Sequence, residues 1–372
     1  MKIAMIGHKR IPSREGGVEQ AVEALAVRMA AAGHRVCAYN RRAGHRTKKK
    51  SYKGVRLITV PTIEKKSLNA IVYAFFATIH ALFGHYDVIH FHAEGPCAFI
   101  WLPKLFGIRT VVTIHGLDWQ RAKWGGFATR FLKYAEKTAA KYADEIIVLS
   151  PQVAEYFEKT YRRETVCIPN GVNAVQPLPP KLITEKYSLQ GKDYLLFLAR
   201  IVPEKGLHYL IEAYKKADCP YKLVIAGGSS HTDDYYEQIR RSCEDDPNII
   251  MTGFVQGREL EELFSNCYLY ILPSDIEGMP ISLLEAMSYG AQCLVSDIPE
   301  NVNVTGEYAE TFPKGNISAL TNKLEALTGS EHSVAHESAE VAAYVTNKYR
   351  WDDVVEQTLQ LYGRAHENTD RK

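Results

Sequence analysis

The chain has 372 residues, of which 46% are hydrophobic and 24% charged, a composition typical of folded globular proteins and unlike that of disordered or fibrous ones. Its seven cysteines are widely spaced without a C-x-x-C pair, which argues against a disulfide framework or a zinc site. The net charge of +2 combines a basic N-terminal half with an acidic C-terminal half, so we expect the N-terminal half to meet something anionic.

The predicted elements of the N-terminal half alternate between strands and helices. Strands are expected over 2–6, 35–39, 88–91, 110–114 and 145–149, and a helix over 18–32. Basic residues follow the first apolar run instead of preceding it, which favours a strand over a signal peptide. The most apolar segment, 70–83, is shorter than the roughly 20 residues of a membrane span and predicts a core helix or an interfacial one.

The proline-containing segment 176–191 interrupts this rhythm and is predicted to be a linker. Strands are expected again over 194–198, 222–226, 249–251, 268–272 and 292–295, and an amphipathic helix over 351–365. Two tandem α/β halves with parallel sheets follow from this order, and ligands of such sheets bind at the carboxyl ends of the strands.

Two loops that follow predicted strands in the N-terminal half carry candidate binding residues. Gly16 and Gly17 open a helix, where backbone N–H groups can hold an anion, although a plain structural turn explains the same glycines. The absence of G-x-G-x-x-G disfavours NAD binding. His115 is suited to contact a sugar or a leaving group, or to be structural.

Two further loops fall in the C-terminal half. Arg200 and Lys205 lie five apart after a predicted strand and can both point at one diphosphate; the alternative is an ion pair with Glu204 or Glu212.

In the second of these loops, Glu277 and Glu285 lie eight apart across a strand-to-helix turn that contains Gly278 and Pro280. Their carboxylates can accept hydrogen bonds from the hydroxyls of a sugar and a ribose.

Six motifs stand in the order and spacing of family-4 glycosyltransferases, which the chain resembles over nearly its whole length. They are Gly16-Gly17, His115-Gly116, Pro169-Asn170-Gly171-Val172, Arg200 with Lys205-Gly206, Gly253-Phe254-Val255 and Glu277 with Glu285-Ala286. The N-terminal motifs look most like the bacterial rhamnosyltransferase branch, which builds cell-wall and capsular polysaccharides.

The resemblance implies the GT-B fold, with two Rossmann-like, doubly wound parallel-sheet domains facing a central cleft. It implies an acceptor-side domain over 1–172, a nucleotide-sugar-binding domain over 173–345, and a C-terminal helix within 346–372 that packs back on the first domain.

The resemblance also implies roles for single residues. Arg200 and Lys205 would hold the diphosphate, Glu285 the ribose, and Glu277 the transferred sugar, beside which His115 would lie. Met279 stands where the family usually has a bulkier residue, which bears on donor choice. The donor-binding set implied in this way is Gly16, Gly17, Asn170, Gly278, Met279, Pro280 and Glu285.

The expected function is therefore that of a retaining glycosyltransferase that moves a sugar, rhamnose in the branch it most resembles, from a UDP-, dTDP- or GDP-sugar to a glycan or lipid-pyrophosphate acceptor. Because no carboxylate is an evident nucleophile and no DXD-like motif has a clear strand context, we expect front-face substitution without a metal or other cofactor. The expected location is cytoplasmic, peripheral on the anionic inner face of the membrane. The residues predicted to attract that surface are Arg41, Arg42, Arg46, Lys48, Lys49 and Lys50.

Three other classes remain open at this point. A bilobal binding protein would close on its ligand without chemistry, and a sugar-nucleotide epimerase on the same fold would turn over the donor without an acceptor. A nucleic-acid binder is disfavoured because no aromatic-basic interleaving or known motif supports it.

Overall fold

The structure is a computed structural model that describes residues 1–42, 49–63, 68–120, 125–229, 232–329 and 337–363. It divides into two compact units. Met1–Gly171 and the segment that begins at Trp351 form the first unit, and Val172–Arg350 form the second. The chain therefore leaves the first unit at Gly171 and returns to it at Trp351.

The first unit is built on a sheet in which, among the described residues, all neighbouring strands are parallel except one pair. Its strands are β1 (Lys2–Ile6), β2 (Arg35–Arg41), β3 (Ser51–Tyr52), β4 (Val55–Val60), β5 (Val88–His92), β6 (Arg109–Ile114), β7 (Glu145–Val148) and β8 (Val166–Cys167). The spatial order is β3-β4-β2-β1-β5-β6-β7-β8, and only β3 runs antiparallel to its neighbour. The sequence patterns did not predict β3, β4 or β8.

Helices cover both faces of this sheet. They are α1 (Gly17–Ala31), α2 (Asn69–Leu82), α3 (Trp101–Leu105), α4 (Gly126–Tyr142) and α5 (Pro151–Tyr161). Residues of α2, α4 and α5 share one core cluster with Ala4 and Ile6 of β1. Ile3 and Met5, also fully buried, point to the opposite face, which α1 covers because parallel crossovers are right-handed.

The predicted apolar helix α2 has two different faces. Tyr73, Ala74 and Ala77 are fully buried in the core cluster. Phe75 and Phe76 are 40% and 46% exposed. The helix is therefore a core helix that also presents aromatic side chains to solvent.

The second unit contains a parallel sheet buried on both faces. Its strands are β9 (Tyr194–Leu198), β10 (Lys222–Ala226), β11 (Ile249–Gly253), β12 (Leu269–Leu272), β13 (Gln292–Ser296) and β14 (Glu310–Phe312), in the order β11-β10-β9-β12-β13-β14. Along β9, Leu196 belongs to one core cluster, and Leu195 and Phe197 belong to the other. Burial on both faces explains why these strands are continuous apolar runs in the sequence.

The helices of the second unit include one inside the predicted linker. They are α6 (Leu182–Tyr187), α7 (Leu207–Lys216), α8 (Asp233–Cys243), α9 (Arg258–Asn266), α10 (Ile281–Ser288), α11 (Pro299–Thr305), α12 (Ile317–Thr328) and α13 (Ser338–Lys348). The interpretation of 176–191 as a plain linker was wrong, because α6 occupies part of it. The Glu262 carboxylate accepts hydrogen bonds from the three backbone N–H groups at the start of α6, at 2.7–3.3 Å.

The last helix, α14 (Trp351–Gly363), belongs to the first unit and packs against α1 and β6. The Arg28 guanidinium lies 5.2 Å from the centroid of the Trp351 ring. The Arg109 side chain donates two hydrogen bonds, at 2.7 and 3.0 Å, to the carbonyl of Leu361. Of the helices described, none has both the length and the apolar character required to cross a bilayer.

Candidate functional site

The sheet of the second unit has a switch point between β9 and β12, where the order of the strands reverses. Ligands of open α/β sheets bind outside the carboxyl ends of the strands at such a point. Arg200 and Lys205 lie in the loop after β9, and Glu277 lies in the loop after β12. The fold thus brings two predicted loops, far apart in sequence, to the same edge of one sheet.

Lys205 and Glu277 form a buried ion pair in this edge. The Lys205 ammonium donates to Glu277 Oε1, and the Ser274 hydroxyl donates to the same oxygen at 2.7 Å. The two side chains are only 13% and 7% exposed. The ion pair of Lys205 is thus with Glu277, while Glu212, one of the alternative partners, pairs with Lys216 at 2.7 Å. Removing one member of such a pair leaves a buried charge, which costs about 3–5 kcal/mol.

Backbone contacts hold the two loops together. Gly206 has a φ of +67°, and a Cβ placed there would lie 2.9 Å from the carbonyl carbon of Pro273 and nearer still to its oxygen. The Asp275 N–H donates to the carbonyl of Glu204 at 2.9 Å. The close approach requires glycine at 206, and it fixes the position of Lys205 relative to Glu277.

Glu285 lies in α10, eight residues after Glu277, and both carboxylates are near enough to the buried Tyr270 ring to influence the pKa of its hydroxyl. Burial raises the pKa of Tyr270 well above its usual value, and the charges of Glu277 and Glu285 raise it further. The Tyr270 hydroxyl donates to Ser282 in the first turn of α10, at 2.9 Å. Both predicted carboxylates therefore flank the start of α10.

The turn between these carboxylates is largely inside the protein. Gly278 and Pro280 are buried, and Met279 is partly buried against the core cluster that contains Leu283. The turn is thus held by packing, and its backbone leads directly into α10.

In the first unit, the predicted glycines stand at the start of α1. Gly16 is extended and Gly17 is the first helical residue. A Cβ at Gly16 would lie 2.5 Å from Glu19 Oε2, and the other oxygen of this buried carboxylate accepts the Lys9 N–H at 2.9 Å. A side chain at position 16 would therefore require the Glu19 carboxylate to shift, while Gly17 is exposed at a helix N-terminus.

His115 follows β6 and contacts a second histidine. Its Nε2 lies 3.2 Å from His92 Nδ1, at the end of β5. Burial, together with the charge of neighbouring imidazoles, holds the pKa of His92 well below its usual value. Burial also lowers the pKa of His90 to about 3 and that of His8 to about 4. Three buried neutral histidines thus accompany His115.

Asn170 is buried in the first unit, next to the point where the chain leaves it. A Cβ at the following residue, Gly171, would lie 2.6 Å from the Trp351 ring. The predicted site residues therefore divide between the units: Gly16, Gly17, His115 and Asn170 belong to the first, and the remainder belong to the second.

The predicted membrane-attracting residues are placed differently from one another. Arg41 donates to the Gly7 carbonyl at 3.3 Å, and its guanidinium lies 4.9 Å from the Tyr73 ring centroid, so this side chain is engaged inside the first unit. Arg42, Lys49 and Lys50 are exposed. Arg46 and Lys48 lie outside the described residues.

Comparison with known proteins places the chain in a family. A model described as glycosyltransferase family 4 matches residues 15–176, and one described as glycosyl transferases group 1 matches residues 181–344. The chain belongs to glycosyltransferase family 4. Its first unit holds residues 15–171 of the former match, and its second unit holds the last five residues of that match and the whole of the latter.

Relatives of this family-4 protein are distant in sequence. An uncharacterized glycosyltransferase of Bacillus subtilis is 25% identical over 219 residues, which cover 57% of this chain and 58% of that protein. The match therefore spans less than two thirds of that relative.

Solved structures identify the fold as GT-B. Sucrose-phosphate synthase from Thermosynechococcus elongatus superposes with a TM-score of 0.83 at 21% identity, over 97% of this chain and 98% of that one. The Anabaena protein HepE, solved in complex with UDP and glucose, gives a TM-score of 0.81 at 15% identity, over 97% and 98% of the two chains.

The sequence interpretation of this family-4 protein missed a polar network behind Glu277. The Ser296 hydroxyl donates to the Ser274 carbonyl at 2.5 Å, and Asn301 donates to Ser296. Burial raises the pKa of Glu300, and the charge of Glu277 adds to this effect. The sequence feature that could have pointed to this network is the position of the two serines, since Ser274 and Ser296 lie at the carboxyl ends of adjacent strands.

His90 and His92 were missed as well, because they lie inside or at the end of an apolar strand. Among the described residues, no group of three or more histidine, cysteine or carboxylate side chains is arranged to hold a metal ion.

Proposed function

We propose that the protein is a retaining glycosyltransferase that transfers a sugar from a nucleoside-diphosphate sugar to a hydroxyl of a glycan or lipid-pyrophosphate acceptor in cell-surface polysaccharide synthesis. The observation that carries the proposal is the buried Lys205–Glu277 pair at the switch point of the second sheet, with Arg200 in the same loop. The UDP bound to HepE supports a nucleotide donor. The candidate donors are UDP-, dTDP- and GDP-sugars, with rhamnose as the sugar of the branch that the sequence most resembles.

The residues of the ion pair match the two parts of a nucleotide-sugar. The Lys205 ammonium, placed by its contact with Glu277 Oε1, has the charge that suits diphosphate oxygens. Arg200, in the same loop, can add a forked contact to the diphosphate. The Glu277 carboxylate retains lone pairs for a hydroxyl of the transferred sugar, and Glu285 is assigned to the ribose. The pair would then bind both sides of the bond that breaks.

The reaction proposed is front-face substitution. The bond between the anomeric carbon and the diphosphate oxygen breaks, and the acceptor oxygen forms its bond on the same face. The acceptor's proton passes to the departing phosphate oxygen, which serves as the base. Arg200 and Lys205 stabilise the charge that develops on the diphosphate, and such a preorganised contact is worth about 10²–10³ in rate. Two cations supply this charge, so the proposal requires no metal.

A nucleotide screen tests the donor site. UDP, GDP, dTDP and their sugars are compared by thermal shift on wild-type protein, Arg200→Ala and Lys205→Ala. At 100 times its Kd, the cognate nucleotide should stabilise the wild type by about 2.7 kcal/mol. Arg240→Ala is the matched control, because Arg240 lies in the same unit and pairs only with surface carboxylates among its described contacts. Failure of every nucleotide, or equal stabilisation of all variants, would contradict the proposed site.

The stereochemistry and the need for an acceptor test the reaction itself. Product anomers are assigned by NMR, and retention is the expected result. Conversion of the donor to an epimer without any acceptor would instead identify an epimerase. Binding of the nucleotide without turnover in the presence of candidate acceptors would favour a binding protein.

A membrane surface is the partner we propose for the first unit. The helices α2, α3 and α4 pack side by side and expose large apolar side chains. These are Phe75, Phe76, Phe83, Trp101, Leu105, Phe106, Phe127 and Tyr134, between 37% and 78% exposed. Scattered apolar residues are common on surfaces, but a set on adjacent helices marks an interaction face.

The charges on this face favour an anionic lipid surface. On α4, Arg130, Lys133, Lys137 and Lys141 are exposed, and its one carboxylate, Glu136, is fully buried. No acidic side chain on α2, α3 or α4 is exposed. Cations next to exposed aromatic rings are the pattern that binds the headgroup region of anionic bilayers.

Vesicle sedimentation tests this partner. We expect binding to vesicles of phosphatidylglycerol that falls with added salt and is much weaker for phosphatidylcholine alone. Replacing Phe83 and Phe106 with Ser should weaken it at least tenfold, and Phe254→Ser, a 52% exposed phenylalanine of the second unit, should not. Equal binding to both lipids, or no effect of the double variant, would refute the surface.

A further inference from the structure

Four histidines gather at the carboxyl ends of three adjacent strands in the first unit. His8 follows β1, His90 and His92 lie in β5, and His115 follows β6. The order β1-β5-β6 makes these strands neighbours at the switch point of the first sheet. The sequence pointed only to His115, and His92 is its direct contact.

A column of rings fixes the position of His92. Its ring lies against that of His90 in a tilted arrangement, with centroids 4.1 Å apart and planes at 32°. His90 is held in turn by two hydroxyls, those of Thr113 at 2.8 Å and Tyr362 at 2.6 Å. Because His90 and His92 are fully enclosed, neither ring can swing out to solvent. His92 Nδ1 is therefore presented to His115 Nε2 in one orientation, at 3.2 Å.

The surroundings of His92 decide where its proton lies. The neutral imidazole carries one N–H and one lone pair. Its Nε2 is buried and has no hydrogen-bond partner among the described residues. A proton on Nε2 would make a buried N–H without an acceptor, and such orphaned donors are rarer in proteins than unused lone pairs. A proton on Nδ1 is instead donated to His115 Nε2.

We propose that His92 is a positioning residue that holds His115 in the tautomer protonated at Nδ1, so that His115 meets its ligand as a hydrogen-bond donor and not as a base. The role of the ligand contact rests on the proposed function, while the tautomer does not. With its Nε2 lone pair engaged, His115 has no basic nitrogen to offer. An N–H donor matches a sugar hydroxyl or a phosphate oxygen, and the departing phosphate remains the base of the reaction.

Long-range ¹H–¹⁵N correlation NMR on protein labelled at histidine measures the tautomer directly. His115→Gln assigns the signal among the chain's 13 histidines. We expect a protonated Nδ1 and an unprotonated Nε2 for His115 in the free wild-type protein. A protonated Nε2 on His115 would overturn the proposal, whether or not the protein transfers sugar.

Two substitutions of nearly equal size separate positioning from packing. His92→Leu removes the donor, and His92→Asn places an amide N–H near the former Nδ1. His115 should lose the Nδ1–H tautomer in the Leu variant and keep it in the Asn variant. The donor KM should rise at least tenfold in His92→Leu and less than threefold in His92→Asn. Equal KM changes in two folded variants would show that His92 only fills space, and loss of transfer in the wild type with the expected tautomer would count against the proposed function alone.

Discussion

Gly206→Ala is the substitution that most directly tests how the site is held together. The residue has a φ of +67°, and its neighbour in space is the backbone of Pro273, which a side chain cannot displace by rotating. The new methyl group would meet the Pro273 carbonyl, so the loop that carries Lys205 must move away from the loop that carries Glu277. We expect both the stability and the affinity for the donor to fall.

The expected loss of folding stability in Gly206→Ala has two contributions. Left-handed backbone geometry costs an alanine about 1–2 kcal/mol relative to glycine. Relief of the overlap requires a shift of roughly 1 Å in a packed region, and overpacking of this kind costs about 1–3 kcal/mol. Gly107→Ala is the matched control, because Gly107 has the same φ of +67° with nothing within 4 Å of its Cβ position. The control should lose only the first part.

Urea unfolding followed by separate probes, such as hydrogen exchange of β9 and of β5, assigns each loss to its unit. Isothermal titration with the nucleotide found in the screen measures the second effect. Loss of a charge-assisted hydrogen bond is worth about 1.5–3 kcal/mol, or roughly 10–150-fold in Kd. If Gly206→Ala matched Gly107→Ala in stability and bound the nucleotide like the wild type, the argument that Gly206 fixes Lys205 would fail.

Three further predictions concern stability. Glu262→Ala should lower the free energy of unfolding in urea by about 3–5 kcal/mol, because it leaves three backbone N–H groups at the start of α6 without an acceptor. Glu261→Ala, an exposed position on the same helix as Glu262, should change this free energy little. His8 and His90 have folded pKa values of about 4 and about 3, so around pH 5 they bind fewer protons in the folded protein than in the unfolded chain. The free energy of unfolding should therefore fall by about 2 kcal/mol for each histidine between pH 7 and pH 5. Equal unfolding free energies at the two pH values would contradict this. Tyr362→Phe leaves His90 Nδ1 without its hydroxyl partner and should cost about 1–3 kcal/mol by the same assay, an unchanged midpoint being the contrary result.

The strands of both sheets were largely predictable, because buried parallel strands are continuous apolar runs with helices between them. The exceptions have physical reasons. Strand β3 is two residues long and polar, and it exists through pairing with β4. Helix α6 lies in a proline-containing segment and depends on the carboxylate of Glu262, some 80 residues away in the chain.

The sequence could nominate residues for the candidate site, but it could not predict their contacts. Arg200, Lys205 and Glu277 were chosen because each follows a strand, and the structure adds that these strands are neighbours. The partner of Lys205 could not be chosen, since sheet order is a tertiary property and nearby glutamates competed for it. Nothing in the sequence distinguished His92, because a histidine at the end of an apolar strand looks like any other strand residue. Its contact with a histidine that follows the adjacent strand is visible only in the folded structure.

The return of the chain to its first unit at Trp351 has a consequence for synthesis on the ribosome. The second unit is encoded in one continuous stretch, so all its contacts can form as soon as that stretch emerges. The first unit is synthesised earlier, but its packing can be completed only after the last helix has emerged. Arg109 binds the carbonyl of a residue 252 positions later in the chain, and His90 binds a hydroxyl 272 positions later. The N-terminal core is thus completed last. A nascent chain that stalls before Trp351 would carry a folded second unit and an incompletely folded first unit.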